Sequence, residues 1–177
     1  MVKAKRILVV GCCGSGKSYI SEKLSEITGI PIIHLDKLYW KRGWEERARE
    51  EFISLLEKEM AAERWIIDGN YSYTLPIRLE KCDFVIYMHP TRVECILGIL
   101  HRIIKSRGRT RKDMADGCPE RLDMAFLEYT WNFEKEQGPK LREKLVYSGR
   151  EVKELRSRRQ VREFLDIIKN SGNLITE

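Results

Sequence analysis

The sequence lacks any long apolar segment. In its 177 residues, no hydrophobic run approaches the roughly 20 residues needed to cross a bilayer. Met1–Arg6 leads directly into a strand-like run, without the apolar core of a secretory signal peptide. Internal repeats and low-complexity linkers are also absent. These absences argue against a membrane protein and predict one domain, residues 1–177, in the cytoplasm.

Cysteine and histidine are too few and too irregularly spaced to build a metal or disulfide framework. The chain has three histidines and five cysteines, the latter at positions 12, 13, 82, 95 and 118. The cysteines form no C-x-x-C pair and the histidines no paired set, which argues against a zinc site. An odd number of cysteines argues against a secreted disulfide scaffold. We therefore expect free thiols.

Positive charge is unevenly distributed along the chain. With 42% hydrophobic and 34% charged residues and a formal net charge of +6, the composition is that of a globular protein rather than a disordered one. The basic residues cluster in two segments, which contain Arg102, Lys105, Arg107, Arg109, Arg111 and Lys112, and Arg150, Lys153, Arg156, Arg158, Arg159 and Arg162. Such clusters serve nucleic-acid binding as well as phosphoryl transfer, so charge alone does not separate the two functions.

The most informative segment reads Gly11-Cys12-Cys13-Gly14-Ser15-Gly16-Lys17-Ser18. It fits the phosphate-binding loop pattern at every fixed position. Its glycines allow positive φ and close approach of backbone N–H groups to phosphate oxygens. The lysine reaches the β and γ phosphates, and the serine hydroxyl joins the coordination shell of Mg²⁺. The two cysteines lie in an anion-binding loop, which favours their thiolate forms.

The segments around this loop predict a strand, then the loop, then a helix. Residues 6–10 form a short β-branched run, and residues 18–27 place apolar side chains on one helical face. Further apolar runs lie at 32–35, 65–67, 84–88 and 152–155 and alternate with helical periodicity. This alternation predicts a parallel sheet covered on both faces, which binds ligands beyond the carboxyl ends of its strands.

Two aspartates follow predicted strands, as Gly11 does, so all three segments should converge on one crevice. Asp68 is predicted to hold a Mg²⁺-bound water near Ser18, or else to be a turn residue before Gly69. Asp36 is predicted to accept a proton from a substrate hydroxyl, or else to cap the next segment.

Side chains from three other regions are candidates for the same site. Arg102, Arg107, Arg109 and Arg111 are predicted to stabilise the transferred phosphoryl group from a mobile flap, the alternative being a solvated basic loop. Arg156 is predicted to lie against the nucleotide base, or else to begin a basic helix. Tyr39, Trp40 and Trp44 either line a pocket for a flat acceptor or serve ordinary packing. His34, inside an apolar strand, is interpreted as a core residue rather than a ligand or base.

Besides residues 11–18, four segments are distinctive. They are Ile33-His34-Leu35-Asp36-Lys37-Leu38-Tyr39-Trp40, Trp65-Ile66-Ile67-Asp68-Gly69-Asn70-Tyr71, Gly117-Cys118-Pro119-Glu120-Arg121 and Leu155-Arg156-Ser157-Arg158-Arg159. Together these segments resemble the adenylate-kinase-like branch of the P-loop kinases, and most closely the bacterial topology modulation proteins. The resemblance implies an α/β, three-layer P-loop NTPase fold with a five-stranded parallel sheet in the order 2-3-1-4-5. It also implies an acceptor-binding excursion at about 37–64 and a lid at about 105–120.

The resemblance further implies ATP-dependent phosphoryl transfer with Mg²⁺. On this basis Lys17 is the loop lysine and Asp68 the Walker B carboxylate, while Arg102 with Arg107, Arg109 or Arg111 supplies the arginines at the lid base. Adenylate kinases follow their Asp-Gly pair with proline and arginine, whereas this chain has Asn70 and Tyr71. Since that arginine grips a monophosphate, its absence favours a nucleoside or another small hydroxyl compound as the acceptor.

The sequence therefore predicts a phosphotransferase that binds ATP and Mg²⁺ and moves the γ-phosphoryl group to a small acceptor, such as a nucleoside or nucleotide. The predicted catalytic residues are Lys17, Asp36, Arg102, Arg107, Arg109 and Arg111. The predicted nucleotide contacts are Gly11, Cys12, Cys13, Gly14, Ser15, Gly16, Lys17, Ser18 and Arg156, and the predicted metal-site residues are Ser18 and Asp68. The alternative is an ATP-binding regulator of DNA topology that binds nucleic acid and has no small-molecule kinase activity.

Overall fold

A parallel sheet forms the centre of the molecule, for which the computed structural model describes residues 4–171. In chain order, the elements are β1 (Arg6–Gly11), α1 (Lys17–Thr28), β2 (Ile32–His34), α2 (Leu35–Tyr39), β3 (Trp40–Lys41), β4 (Glu45–Glu46), α3 (Arg49–Glu59), β5 (Trp65–Asp68), α4 (Leu75–Lys81), β6 (Phe84–Met88), α5 (Arg92–Lys105), α6 (Met124–Glu136), α7 (Gly138–Tyr147), β7 (Glu151–Leu155) and α8 (Arg158–Ser171). Strands β3 and β4 form a separate antiparallel hairpin.

The main sheet has the order β2-β5-β1-β6-β7, and every neighbouring pair is parallel. Counted without the hairpin strands, this is 2-3-1-4-5, so the predicted fold class and strand order are confirmed. The inner strands are continuous apolar runs because both of their faces are buried. The register pairs His34 with Asp68 across β2 and β5, which brings both side chains to the carboxyl edge of the sheet.

Two apolar cores lie on opposite faces of the sheet and make it the middle of three layers. On one face, β1 and β6 pack with α1 and α8, as shown by Ile20, Leu24, Phe164 and Ile168. The other core includes side chains from α3, α4, α6 and α7, among them Phe52, Leu79, Phe133 and Leu145. Each such fully buried side chain contributes about 1.5–3 kcal/mol to folding relative to exposure.

Several element boundaries differ from the sequence prediction. Strand β2 ends at His34, and the following residues form the short helix α2. The spacing of apolar residues predicts a helix from about Glu45, but α3 begins at Arg49, since residues 45–46 pair with β3 instead. It also predicts a helix over residues 119–135, whereas α6 begins at Met124 and is capped by the Asp123 carboxylate.

The end of the chain differs as well. The sequence predicts a frayed tail from Asn170, but α8 continues to Ser171. The remainder of the predicted tail, 172–177, lies outside the described residues. Among the helices between residues 4 and 171, none is long and apolar enough to span a membrane.

Candidate active site

The loop of residues 11–18 connects β1 to the N-terminus of α1. Gly11, Gly14 and Gly16 all have positive φ, at 134°, 73° and 94°. A Cβ at Gly14 would lie 2.1 Å from the carbonyl oxygen of Cys95, so a side chain there would collide with α5. The loop therefore needs glycine both for its backbone conformation and for its close packing. Its N–H groups and the positive end of α1 together favour an anion.

Lys17 and Ser15 offer polar atoms at this loop. The Nζ of Lys17 donates hydrogen bonds to the carbonyl oxygens of Gly11 at 3.0 Å and Cys12 at 2.9 Å. The Lys17 side chain also lines a cavity beside the loop. The hydroxyl of Ser15 is buried and has no hydrogen-bond partner. An unpartnered buried hydroxyl at a phosphate-binding loop is suited to an oxygen-rich ligand.

Asp68 ends β5 and is only 5% exposed. Its Oδ1 lies 2.8 Å from Nδ1 of His34, whereas its Oδ2 is buried with no hydrogen-bond partner. Burial alone would lower the pKa of His34, but the hydrogen bond and charge of Asp68 outweigh it and raise that pKa. His34 is therefore a largely buried side chain whose polar atom is satisfied by Asp68, which agrees with its interpretation as a core residue.

The oxygen donors at this end of the sheet suit Mg²⁺ better than a transition metal. They are the hydroxyl of Ser18 at the start of α1 and the unpartnered Oδ2 of Asp68. Between residues 4 and 171 there is no group of three His, Cys, Asp or Glu side chains arranged as a metal cage. Mg²⁺ commonly retains water and takes phosphate oxygens together with one or two protein ligands. The residues present therefore fit Mg²⁺ bound with a nucleotide.

Asp36 lies in the first turn of α2 and faces the same cavity as Lys17. Its Oδ1 accepts a 2.7 Å hydrogen bond from the hydroxyl of Tyr71. Burial raises the pKa of Asp36, while the Tyr71 hydrogen bond opposes the shift. A carboxylate with a raised pKa is a better proton acceptor, which suits general-base chemistry.

The cavity beside these groups has a volume of about 750 Å³. It lies between the phosphate-binding loop, the start of α4, α6, α7 and the segment before α6. Its aromatic walls include Trp40, Trp44, Tyr71, Phe126, Tyr129 and Phe133. Tyr39, the other aromatic residue considered from the sequence, packs against Phe52 instead, with ring centroids 5.4 Å apart. The volume is in the usual range for small-molecule sites.

Of the four candidate catalytic arginines, the structure brings two to the cavity. Arg102 and Arg111 line it, and both contact the buried carboxylate of Glu120. Nη2 of Arg102 lies 2.8 Å from Oε1 of Glu120. Nε of Arg111 lies 2.7 Å from Oε2 of Glu120, and this ion pair does not have the geometry of a hydrogen bond. Arg107 and Arg109 are exposed and are not among the cavity-lining residues.

Arg156 lies apart from this cavity. Its side chain is 67% exposed, and Nη2 is 2.9 Å from Oε2 of Glu154. Arg156 lines a second cleft of about 510 Å³ together with Arg92 and Trp131. In this cleft the Arg92 guanidinium lies 4.6 Å from the centroid of the Trp131 ring. The structure thus does not bring Arg156 together with Lys17, Asp36 and the other cavity residues.

Comparisons with known proteins agree with this architecture. No protein-family model matches the chain. A Thermococcus onnurineus (strain NA1) protein named "Putative adenylate kinase" is 26% identical over 132 residues, or 69% of this chain and 67% of that protein. Shikimate kinase from Acinetobacter baumannii, solved in complex with shikimate, has a TM-score of 0.57 and 16% identity over 94% of each chain. The fold is that of a P-loop kinase.

A further solved structure is less similar. Deoxyadenosine kinase from M.mycoides, solved with products dcmp and a flexible dcdp bound, has a TM-score of 0.49. It is 20% identical over 93% of this chain and 96% of its own.

Beside the cavity, the hairpin β3–β4 contacts the segment before α6. The N–H of Gly43 donates to the carbonyl of Gly117 at 3.1 Å. The N–H of Trp44 contacts Sγ of Cys118 at 3.4 Å, and its indole N–H donates to the carbonyl of Pro119 at 3.2 Å. The turn of the hairpin β3–β4 and residues 117–119 are therefore joined by hydrogen bonds.

Asn70 and Arg78, which follow the Asp68-Gly69 pair, make structural contacts that the sequence did not indicate. The side chain of Asn70 accepts from the N–H of Gly11 at 3.0 Å and donates to its carbonyl at 2.7 Å. Arg78 is fully buried, and its guanidinium donates to the carbonyls of Gly69, Asn70 and Tyr71. Two sequence features could have indicated these roles: a polar residue directly after Asp-Gly, and an arginine among the apolar positions of α4.

The expected thiolate character of the loop cysteines is not borne out. A hydrogen bond with Cys95 and burial raise the pKa of Cys12, and burial raises that of Cys13. Lys17 favours the charged form of both thiols, but its effect is smaller than these opposing ones. The sequence argument considered only the anion-binding loop and had no information on how tightly α5 and α6 pack against it. All five cysteines are free.

Proposed function

We propose that this protein is a Mg²⁺-dependent kinase that transfers the γ-phosphoryl group of ATP to a small hydroxyl acceptor. The convergence of Lys17, Asp36, Arg102 and Arg111 on one cavity carries this proposal. A phosphate-binding loop at one end of that cavity supplies the donor side, and the aromatic walls supply the acceptor side. Catalysis by positioning and charge stabilisation needs such a convergence, because phosphoryl transfer requires little covalent participation by the protein.

Each residue has a defined task in this reaction. The acceptor oxygen attacks the γ-phosphorus, the bond to the bridging oxygen of ADP breaks, and Asp36 accepts the hydroxyl proton. Lys17, Arg102 and Arg111 stabilise the negative charge on the phosphoryl oxygens. Ser18 and Asp68 hold Mg²⁺, which supplies charge neutralisation at the phosphates. Gly11–Gly16 bind the phosphates through backbone N–H groups.

The acceptor is proposed to be a nucleoside-like or other small hydroxyl compound rather than a nucleoside monophosphate. Arg78, an arginine shortly after the Asp-Gly pair, uses its donors on backbone carbonyls and on Thr74. Arg102 and Arg111, which both pair with Glu120, are assigned to the transferred phosphoryl group rather than to a phosphate of the acceptor. A flat ring would find aromatic partners in the cavity walls, where stacked or edge-to-face pairs are favourable.

Further assignments belong to the same proposal. We propose that residues 37–64 bind the acceptor, that residues 105–120 act as a lid, and that Arg156 lies near the nucleotide base. The four distinctive sequence segments support membership of the topology modulation proteins within the adenylate-kinase-like branch. A cytoplasmic location is part of this proposal as well.

A screen for acceptor-dependent ADP release tests this function. Nucleosides, nucleoside monophosphates and small hydroxylated metabolites are offered separately with ATP and Mg²⁺. Lys17→Ala is the control, since its side chain contacts the loop rather than the apolar core and its loss should abolish turnover in a folded protein. Stimulation by one acceptor class that disappears in Lys17→Ala supports the proposal, whereas full turnover in that variant contradicts it.

One observation favours a second candidate, an ATP-binding regulator that binds nucleic acid. Arg107 and Arg109 on the lid are exposed, as are Arg158, Arg159 and Arg162 at the start of α8. Solvent-facing arginines are available to phosphates of a nucleic-acid backbone. Salt-sensitive duplex binding without acceptor-dependent ADP release would favour this candidate.

A further inference from the structure

A lid carboxylate contacts the phosphate-binding loop. Asp113 is 8% exposed although it lies in a polar connecting segment. Its carboxylate interacts with the side chain of Ser18, and Nη1 of Arg111 lies 2.7 Å from its Oδ2. A buried carboxylate normally has partners that compensate for its loss of water, and here one of them is the candidate Mg²⁺ ligand.

We propose that Asp113 is a metal-positioning residue, which holds a water of the Mg²⁺ shell from the lid and thereby couples lid closure to metal binding. This inference rests on the proposed function, because it assumes that Mg²⁺ and a nucleotide bind at Ser18. Asp113 acts through water in this scheme, consistent with the lack of a three-residue metal cage within residues 4–171. Oxygen ligands and retained water are what Mg²⁺ prefers.

The position of Asp113 is fixed by a chain of ion pairs that begins on α5. Arg102 contacts Glu120, Glu120 contacts Arg111, and Arg111 contacts Asp113. The chain ends at the hydroxyl of Ser18. It therefore connects α5, the middle and the C-terminal end of the lid, and the phosphate-binding loop.

The charges around Asp113 favour a divalent cation. His34 and Asp113 interact electrostatically, and Asp68, which hydrogen-bonds to His34, has one unpartnered oxygen. Asp36 is also within electrostatic range of Asp68 and Arg111. The three carboxylates are thus connected electrostatically: Asp36 interacts with Asp68 directly, and Asp113 is linked to Asp68 through His34. A cation placed among them reduces their mutual repulsion, and one of the three arrives with the lid.

The test measures metal-dependent nucleotide binding without catalysis. The affinity for a non-hydrolysable ATP analogue is determined by calorimetry, once with Mg²⁺ and once with EDTA, for the wild-type protein and for Asp113→Asn. We expect Asp113→Asn to reduce the gain in affinity that Mg²⁺ provides by about 10-fold, the usual lower range for loss of an outer-shell partner. Affinity in EDTA should be unchanged or increased, since one negative charge near the phosphates is removed.

Asp116→Asn is the matched control. Asp116 is an exposed acid of the same lid, so its substitution makes the same change of charge without touching the loop. Asp116→Asn should leave the gain in analogue affinity that Mg²⁺ provides at the wild-type value. In a Ser18→Ala background, Asp113→Asn should have little further effect on the Mg²⁺ gain, because both residues act on one metal.

The outcomes separate this inference from the proposed function. If Asp113 only braces Arg111, Asp113→Asn will weaken binding equally with Mg²⁺ and with EDTA, which overturns the inference. No binding of the analogue by the wild-type protein overturns the proposed function instead. If Asp113→Asn does not fold, Asp113→Glu keeps the charge and displaces the carboxylate by one methylene. A wild-type Mg²⁺ gain in that variant also overturns the inference.

Discussion

The hydroxyl of Tyr71 donates a 2.7 Å hydrogen bond to Oδ1 of Asp36. Tyr71 follows the Asp-Gly pair after β5 and has a φ of 34°, so a strained backbone directs it toward α2. The bond opposes the effect of burial on Asp36, because a donated hydrogen bond stabilises the charged form of a carboxyl group. The balance between these two effects sets the pH range in which Asp36 can accept a proton.

Tyr71→Phe should shift the pH dependence of turnover to higher pH. Burial raises the pKa of Asp36 and the Tyr71 hydrogen bond lowers it, so deletion of the hydroxyl leaves the pKa higher still. A general base acts when ionised, so kcat/KM should rise with pH through this pKa and the rising limb should move upward in Tyr71→Phe. A pH profile of kcat/KM with the best acceptor measures the shift.

Two further variants complete the pH experiment. Asp36→Asn should remove the rising limb and lower kcat by about 10²–10⁴-fold. Tyr73→Phe is the control, since Tyr73 lines the same cavity and no hydrogen bond joins it to Asp36 within the described residues. Equal shifts in Tyr71→Phe and Tyr73→Phe would show that Asp36 is not the titrating group.

Asp68→Asn should lower the rate and weaken the binding of Mg²⁺. The unpartnered Oδ2 is the atom available to a metal-bound water, and an amide in its place carries no charge with which to orient that water. We expect the Mg²⁺ concentration for half-maximal activity to rise by about 10-fold or more. A titration of activity with Mg²⁺ at fixed ATP measures this. Lower thermal stability with an unchanged Mg²⁺ titration would identify Asp68 as a turn residue.

Much of the sheet was predictable because its strands are buried on both faces. The apolar runs that end at Asp68 and Met88 stand out in the sequence. The order of strand, loop and helix around Lys17 left few alternative folds. The short hairpin β3–β4 was not predictable, since two-residue strands have no apolar periodicity to detect.

The contacts inside the site were harder to predict than its members. The pairing of His34 with Asp68 depends on the register of β2 against β5, which a single sequence does not give. The ion pairs that Glu120 makes with Arg102 and Arg111 cross the whole lid. Glu120 lies in one of the distinctive segments of the sequence, but nothing local indicates which distant residues it pairs with.

Arg78→Ala should destabilise the protein strongly. The guanidinium is fully buried and satisfies the carbonyls of the loop after Asp68, so its loss leaves a cavity and unpaired carbonyl groups. We expect a loss of about 3 kcal/mol in the free energy of unfolding, or roughly 6–12 °C in Tm. Lys81→Ala, an exposed basic residue of the same helix α4, should change Tm little. Comparable Tm values for the two variants would contradict a structural role for Arg78.

Burial also lowers the pKa of Arg78 to about 9. Because this folded-state pKa lies below the ordinary value of 12.5, folding disfavours the bound proton, and the cost of burying the charge falls as pH rises through about 9. The stability difference between wild type and Arg78→Ala should therefore increase from pH 8 to about pH 10. Urea unfolding at a series of pH values measures it, and a constant difference would indicate that Arg78 keeps an ordinary pKa.

The four candidate arginines should divide into two pairs with different roles. Arg102 and Arg111 line the cavity, whereas Arg107 and Arg109 face solvent. If the first pair stabilises the transferred phosphoryl group, Arg102→Ala and Arg111→Ala should lower kcat by about 10²-fold or more, with a smaller effect on ATP affinity. The double variant Arg107→Ala/Arg109→Ala is the matched control and should retain kcat within a few-fold. Steady-state kinetics with ATP and the best acceptor distinguish the pairs.

The same double variant decides whether the exposed pair serves nucleic acid. If Arg107 and Arg109 contact phosphates of a DNA backbone, their removal should reduce the slope of log Kd against log salt by about one for each lost contact. Binding of labelled duplex between 50 and 200 mM salt, about the range over which such contacts are sensitive, measures this slope. We expect weak duplex binding with the same slope in wild type and variant, because a kinase lid needs no nucleic acid. A shallower slope in the variant with unchanged ATP turnover would instead favour the DNA-binding regulator.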